Sequence, residues 1–174
     1  MRAIDRFRIP HAAYEAGIAK ADWPARMNRL TQGALVDLAP AGSEVWLDGG
    51  HNPDGGRAIA ATFADLEERV PRPLFMVCGM LNTKDPVGFF QPFAGLVRKA
   101  YTVPVPSSAA GRDPAELAEA AAVAGVDAVP VADVETALDL ISAETGLPMP
   151  PRILICGSLY LAGTVLEANG TPPT

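Results

Sequence analysis

The sequence predicts an α/β fold: a doubly wound, mostly parallel sheet in a single domain. Three observations predict it. Short, continuous apolar runs of strand length alternate with segments of helical periodicity from residue 44 to residue 168. Those runs lack the polar alternation of a half-solvated strand, so crossover helices must cover both faces of the sheet. Three runs end directly in a glycine-containing turn, at Asp48-Gly49-Gly50-His51, Cys78-Gly79-Met80 and Cys156-Gly157-Ser158. Open α/β sheets bind ligands beyond the carboxyl ends of their strands, where such turns sit.

The elements follow in order. Residues 10–19 read as a short helix, with Pro10 suited to its first turn and Gly17 near its end. Trp23-Pro24 breaks it, because proline restricts the residue before it. Residues 29–38 read as a strand with a turn around Gly33, and 39–43 as a Pro/Gly/Ser connector. Residues 44–48 form a strand. Residues 53–69 form a helix, with Ile59, Phe63, Leu66 and Val70 at helical spacing. A strand at 74–78 is followed by a helix at 86–96 that carries Phe89, Phe90 and Phe93. A short strand at 100–103 leads to an Ala-rich helix at 114–124, with Asp113 as its N-cap and Pro114 at its first position. A strand at 127–131 precedes a helix at 134–145, capped by Asp133 and stopped by Gly146. The last strand is 152–156 and the last helix 158–168, and residues 169–173 read as a loose tail.

Composition removes several classes of function. The chain has 174 residues, enough for one well-packed domain, and is 49% hydrophobic and 20% charged, which is neither disordered nor fibrous. A net charge of −6 argues against a nucleic-acid partner, because phosphate neutralisation needs clustered Lys and Arg. No apolar run reaches the roughly eighteen residues of a membrane span, and the charged N-terminus has no signal core. Cys78 and Cys156 each sit in a strand-like run without a CxxC or His–Cys spacing, so they read as buried small hydrophobes. Reduced cysteines fit the cytoplasm.

Parallel strands put Asp48, His51 and Ser158 at one edge despite their separation in sequence. Each has an ordinary alternative. His51, near a helix start, fits an anion or a proton shuttle, or merely caps a turn. Asp48 fits a ribose hydroxyl or an Asx turn. Ser158 fits a ligand carboxylate or a helix N-cap. Lys84, in the loop after Met80-Leu81-Asn82-Thr83, can reach a phosphate or carboxylate, or stay solvated. Arg26 and Arg29 are possible phosphate clamps or plain surface residues. The glycines do not fall in G-x-G-x-x-G register, and the sequence contains neither a P-loop nor a G-x-S-x-G elbow.

Taken together the motifs resemble a known family. Leu47-Asp48-Gly49-Gly50-His51-Asn52-Pro53 resembles D-G-A-H-N-P, and Gly79-Met80-Leu81-Asn82-Thr83-Lys84-Asp85 resembles G-M-x-x-x-K-D. Gly157-Ser158-Leu159-Tyr160-Leu161-Ala162-Gly163 resembles G-S-L-Y-L-x-G, and Trp23-Pro24-Ala25-Arg26 resembles W-P-G-R. In this order they are similar to the C-terminal part of folylpolyglutamate synthase/dihydrofolate synthase, a member of the Mur ligase superfamily, over residues 9 to 167 or so. Gly50 replaces the usual Ala, and Ala25 the usual Gly, where a methyl resists a positive φ.

The resemblance implies a Rossmann-like sheet of the Mur ligase C-terminal type over 26–168. Residues 1–25 are then the remnant of a preceding ATPase domain and linker, and 169–174 a tail. It implies a soluble, cytoplasmic ligase of folate metabolism that activates a dihydropteroate or folate carboxylate with ATP and Mg. L-Glutamate then attacks the acyl phosphate to form an amide. Arg26 and Asp48 would meet the nucleotide, and His51 and Ser158 the glutamate, with Asn52, Lys84 and Tyr160 as further cleft residues. The P-loop and most magnesium ligands belong to the missing N-terminal domain, so this part alone should not turn over. Another Mur-type amino-acid ligase and a non-catalytic binding or assembly module are the alternatives.

Overall fold

The computed structural model describes residues 10–19 and 24–172. The break assigned to Trp23, and most of the segment assigned to a preceding domain, lie outside the described residues. Helix α1 (His11–Ala19) is followed by strand β1 (Asn28–Leu30), helix α2 (Ala34–Leu38), strand β2 (Glu44–Leu47) and helix α3 (Pro53–Arg69). Then come β3 (Leu74–Cys78), α4 (Pro86–Phe90), β4 (Lys99–Thr102), α5 (Pro114–Val123), β5 (Ala128–Pro130), α6 (Val134–Ser142), β6 (Arg152–Cys156) and α7 (Leu159–Ala168).

The sheet order is β1-β2-β6-β3-β4-β5. Every pairing is parallel except β1 with β2, which places an antiparallel strand at one edge. Strand alternation then sorts the core into two layers. Phe75, Val77, Ile153 and Ile155 point to the layer containing α2, α6 and α7. Met76, Cys78, Leu154 and Cys156 point to the layer containing α3, α4 and α5. Helices on both faces make the sheet doubly wound, as the sequence predicts. The second layer is the aromatic one: Phe89 packs on Phe90 and Phe93 with ring centroids 5.7 and 5.6 Å apart. Each of these rings is fully buried, and each contributes about 1.5–3 kcal/mol by leaving water.

Local signals explain most helix starts. Asn52, Asp85, Asp113, Asp133 and Ser158 each accept a backbone N–H as N-cap, and Pro53, Pro86 and Pro114 follow their caps directly. Cys78 and Cys156 are register partners on β3 and β6 and are free thiols, buried as expected. Burial pushes the Cys156 thiol up, and the neighbouring Cys78 and Asp48 push it the same way, so it packs as a neutral side chain.

Several expectations change. The strand expected at 29–38 is only β1, and its second half is helix α2. Gly33, with φ 116°, turns the chain between them, and a Cβ there would lie 2.2 Å from the Asn169 carbonyl. Asn169 supplies the missing cap from the far end of the chain: its Oδ1 accepts Leu35 N–H at 3.1 Å and Val36 N–H at 3.4 Å. Its Nδ2 donates to the Gln32 carbonyl at 2.9 Å. Asn169 is 2% exposed, so the expected loose tail is tied down at its first residue. Helix α4 ends at Phe90 instead of Leu96, and a 3-10 turn (Gln91–Phe93) follows. Pro92 has no N–H to continue an α-helical ladder there. Helix α6 stops at Ser142, short of Gly146.

The amino ends of the central strands carry an ion network. Arg152, 3% exposed, donates from Nε to Glu44 Oε2 at 2.9 Å and lies 3.5 Å from Glu67 Oε2. Burial pushes the Glu44 carboxyl up, but the hydrogen bond and charge of Arg152, aided by Trp46 and Arg29, leave it below its ordinary 4.5. Glu44 therefore contributes stability above that value, and the contribution is lost as pH falls through the lower folded value. Glu44→Gln should destabilise the chain at neutral pH by stranding Arg152, and the gap from wild type should close below about pH 4.5. Urea unfolding across pH tests this; a gap unchanged by acid would refute it. Asn169→Ala should cost about 2–3 kcal/mol, because it leaves the Leu35 and Val36 donors of α2 and the Gln32 carbonyl before it unpaired. An unchanged unfolding midpoint would show that water replaces the amide.

Candidate functional site

The carboxyl ends of β2, β6 and β3 lie side by side because these strands are parallel neighbours. Hydrogen bonds continue past the strand ends and stitch the rim. Asp48 N–H donates to the Ile155 carbonyl at 3.0 Å, Gly157 N–H to the Gly50 carbonyl at 3.0 Å and Gly79 N–H to the Cys156 carbonyl at 3.1 Å. Asp48, His51 and Ser158 therefore share one edge, as the sequence argument requires. Gly157 makes the close approach possible. Its φ is 103°, and a Cβ there would lie 2.7 Å from both Cys78 Sγ and the Gly79 carbonyl.

Asp48 is 5% exposed. Its Oδ2 accepts Met27 N–H at 2.7 Å, and its Oδ1 accepts Gly50 N–H at 2.6 Å. The second bond is the Asx turn that stood as its ordinary alternative. The first holds the loop before β1. That loop is strained: Ala25 and Met27 have φ of 59° and 44°. The left-handed region costs a non-glycine residue about 1–2 kcal/mol. Burial of the Ala25 methyl, 3% exposed as a residue, returns about 0.8 kcal/mol, and the Ala25 carbonyl accepts Gly49 N–H at 2.8 Å. The loop delivers Arg26 to the rim, with Nη1 3.8 Å from Asp48 Oδ1 and the side chain 43% exposed. Arg29 instead faces Glu44 and the Trp46 ring at the antiparallel edge.

His51 Nδ1 lies 2.8 Å from the Gly49 carbonyl. A carbonyl only accepts, so Nδ1 carries a proton and Nε2 is left for a ligand. Ser158 is 3% exposed and caps α7 by accepting Tyr160 N–H at 3.1 Å. Its O–H is still available to donate, so the cap and ligand readings coexist. Asn52 is exposed and its Oδ1 accepts Gly55 N–H at 2.7 Å, which leaves its amide donors free for a ligand.

These residues line two clefts that share His51. One, about 250 Å³, is bounded by Arg26, Met27, Asp48, His51, Asn52, Ile59 and Thr62. The other, about 120 Å³, is bounded by His51, Leu81, Lys84, Gly157, Ser158, Leu159 and Tyr160. Arg26, Asp48, His51, Asn52, Lys84, Ser158 and Tyr160 each line at least one of them, whereas Arg29, the other phosphate-clamp candidate, lines neither. Sequence reading passed over Ile59, Thr62 and Leu159. Ile59 and Thr62 stand three apart on α3, on the face that turns towards the rim. Leu159 was hidden by its glycine partner: a Cβ on Gly49 would lie 2.2 Å from Leu159 Cδ2. Among the described residues no three His, Cys, Asp or Glu side chains converge as a metal site. The one carboxylate at the clefts, Asp48, has both oxygens committed to backbone N–H groups, so this rim does not fit a magnesium cage. Among the described residues no helix is long and apolar enough to cross a membrane.

The rim can be compared with known proteins. Residues 26–159 match the family model described as Mur ligase, glutamate ligase domain. Folylpolyglutamate synthase of Lacticaseibacillus casei is 29% identical over 153 residues, covering 87% of this chain and 31% of the relative. The chain thus spans about a third of the length of that curated relative. The solved Mycobacterium tuberculosis folylpolyglutamate synthase complexed with ADP and AMPPCP is similar with a TM-score of 0.74 at 23% identity, over 96% of this chain and 37% of that one. A Yersinia pestis bifunctional folylpolyglutamate synthase/dihydrofolate synthase complexed with AMPPNP and Mn ion gives 0.69 at 23% identity, over 93% and 35%. At such identities the likeness in structure shows a common fold, while the family match covers well over half of the chain. The chain belongs to the Mur ligase family, as a glutamate ligase domain.

Proposed function

We propose that this chain is the glutamate- and nucleotide-contacting part of an ATP-dependent folate–glutamate ligase. The observation that carries the reading is one imidazole, His51, shared between an Arg26 cleft and a Ser158–Lys84 cleft. A ligase that activates an acid with a nucleotide and then joins it to an amino acid needs both ligands side by side. The L. casei relative is a folylpolyglutamate synthase, which supports folate as the acid.

In this reading the nucleotide lies along the first cleft. Its apolar surface packs on Met27 and Ile59, and Arg26 meets a phosphate with a forked guanidinium. Asp48 fixes the loop that holds Arg26 and offers its remaining lone pairs to a ribose hydroxyl. L-Glutamate occupies the second cleft. The Ser158 O–H and the Lys84 ammonium bind carboxylate oxygens, while His51 Nε2 orients the amino group. Asn52 and Tyr160 close the mouths of the two clefts. The acid's carboxylate takes the γ-phosphoryl group of ATP, releasing ADP. The glutamate nitrogen attacks the acyl carbon, its proton leaves, phosphate departs and an amide remains. Holding the amine beside the acyl phosphate lowers the barrier by removing the entropic cost of encounter.

The 174 residues contain no G-x-x-x-x-G-K-[ST] run, so the triphosphate and its magnesium are held elsewhere in the working enzyme, by the ATPase domain that the relatives' greater length accommodates. On its own the chain should release no ADP from ATP, magnesium, dihydropteroate and L-glutamate. It should still bind pieces of the substrates. In an amide-resolved NMR titration, ADP should shift residues 26–28, 48–51 and 58–62, and L-glutamate residues 51, 81–84 and 157–160. Arg26→Ala should weaken ADP about tenfold and leave glutamate unchanged, and Ser158→Ala should do the reverse, each losing one polar contact. ADP and glutamate competing for one cleft, or neither producing shifts, would overturn the proposal.

A further inference from the structure

The loop between β4 and α5 has no part in the ligand contacts just described, yet it touches both walls of the smaller cleft. At one end, Ser107 Oγ lies 3.4 Å from the Tyr160 carbonyl and 3.4 Å from Thr164 Oγ1, one turn further along α7. At the other end the loop is laced to the Lys84 turn. Asn82 N–H donates to the Ala110 carbonyl at 2.9 Å, Arg112 N–H donates to the Met80 carbonyl at 2.8 Å, and Leu81 bridges Gly111.

The Arg112 side chain completes this lacing. Its Nη2 donates to the Asn82 carbonyl at 2.9 Å and to the Lys84 carbonyl at 3.3 Å. These carbonyl bonds, not an ion pair, hold the guanidinium in place. Its side chain is 20% exposed, and its one carboxylate neighbour among the described residues, Glu116, is 3.7 Å away and 66% exposed. Such an exposed pair is weak. Its Nε is buried without a partner, which is unfavourable. What the arrangement achieves is geometric: one guanidinium nitrogen, Nη2, bridges the Asn82 and Lys84 carbonyls of the 81–84 turn. Lys84 itself has no carboxylate within ion-pair distance among the described residues and lines the cleft.

We propose that Arg112 is a positioning residue: it clamps the 81–84 turn so that the Lys84 ammonium faces the carboxylate of an amino-acid ligand held by Ser158 and His51. The inference rests on the glutamate cleft proposed above. Arg112 does not touch the ligand. It sets the distance between the lysine wall and the Tyr160 wall of the cleft through the 104–112 loop.

The test uses the whole chain, with L-glutamate and ADP as probes, and the variants Arg112→Ala, Arg112→Lys, Lys84→Ala and Arg112→Ala with Lys84→Ala. Arg112→Ala should raise the glutamate Kd about tenfold, the size of one lost charge-assisted contact, and leave the ADP Kd unchanged. Amide exchange should quicken at residues 81–84 and not in the sheet. In the Lys84→Ala background the Arg112→Ala change should cost nothing further, because the lysine it positions is gone. Arg112→Lys, which keeps the charge but replaces the planar, rigid guanidinium with a mobile ammonium, should recover only part of the affinity. If Arg112→Ala does not fold, Arg112→Lys decides by the same comparison. Full glutamate affinity in the Arg112 variants, an equal loss in the Lys84→Ala background, or a parallel loss of ADP affinity would overturn the inference while leaving the glutamate cleft standing. A wild-type chain blind to glutamate would instead defeat the reading of the cleft itself.

Discussion

A single buried carboxylate joins the antiparallel edge of the sheet to its parallel centre. Asp48 stands just past β2. One oxygen reaches back to the Met27 amide of the loop before β1, and the other reaches forward to the Gly50 amide. The loop it holds is strained at Ala25 and Met27 and would relax without a strong acceptor. Charge-assisted hydrogen bonds of about 1.5–3 kcal/mol each are large enough to offset that strain. The position of Arg26, the turn that presents His51 and the contact between the Gly50 carbonyl and Gly157 all follow from this carboxylate. A rim built this way depends on a side chain that is nearly sealed from solvent.

The two ends of the sheet differ in electrostatic character. At the amino ends, Glu44, Glu67, Arg72 and Arg152 neutralise one another in and around the interior. Such a network locks strand ends together and leaves little charge for a ligand. At the carboxyl ends, Lys84 has no acidic partner among the described residues and Arg26 is only loosely paired. The chain carries a net charge of −6, yet its cleft edge displays cations. That contrast suits small anions, since charge focused in a cleft outweighs the diffuse field of the surface.

What could be read from the sequence was what is encoded locally. Five N-caps and three following prolines mark helix starts by short-range chemistry, and the continuous apolar runs mark the buried strands. The grouping of Asp48, His51 and Ser158 was legible because parallel topology alone puts strand ends together. Helix α2 was not, because its cap comes from Asn169, more than a hundred residues away. The early end of α4 was missed because the spacing of Phe89, Phe90 and Phe93 suits a helix that runs on past Pro92. Arg112 was not singled out, since its partners are two carbonyls of another loop. The dual nature of Asp48 and Ser158 was also hidden: each fills its ordinary structural role and faces a cleft as well.

The shared imidazole has a thermodynamic corollary. His51 is tethered at Nδ1 to Gly49, so it can swing little, and whatever settles against one side of the ring fixes its orientation for the other side. On the proposed reading, two occupants that both touch this one ring would sense each other's binding. If the first makes the second tighter, the second must strengthen the first by the same factor. Cooperativity would then arise from a partition one side chain thick, with no change in the arrangement of the strands.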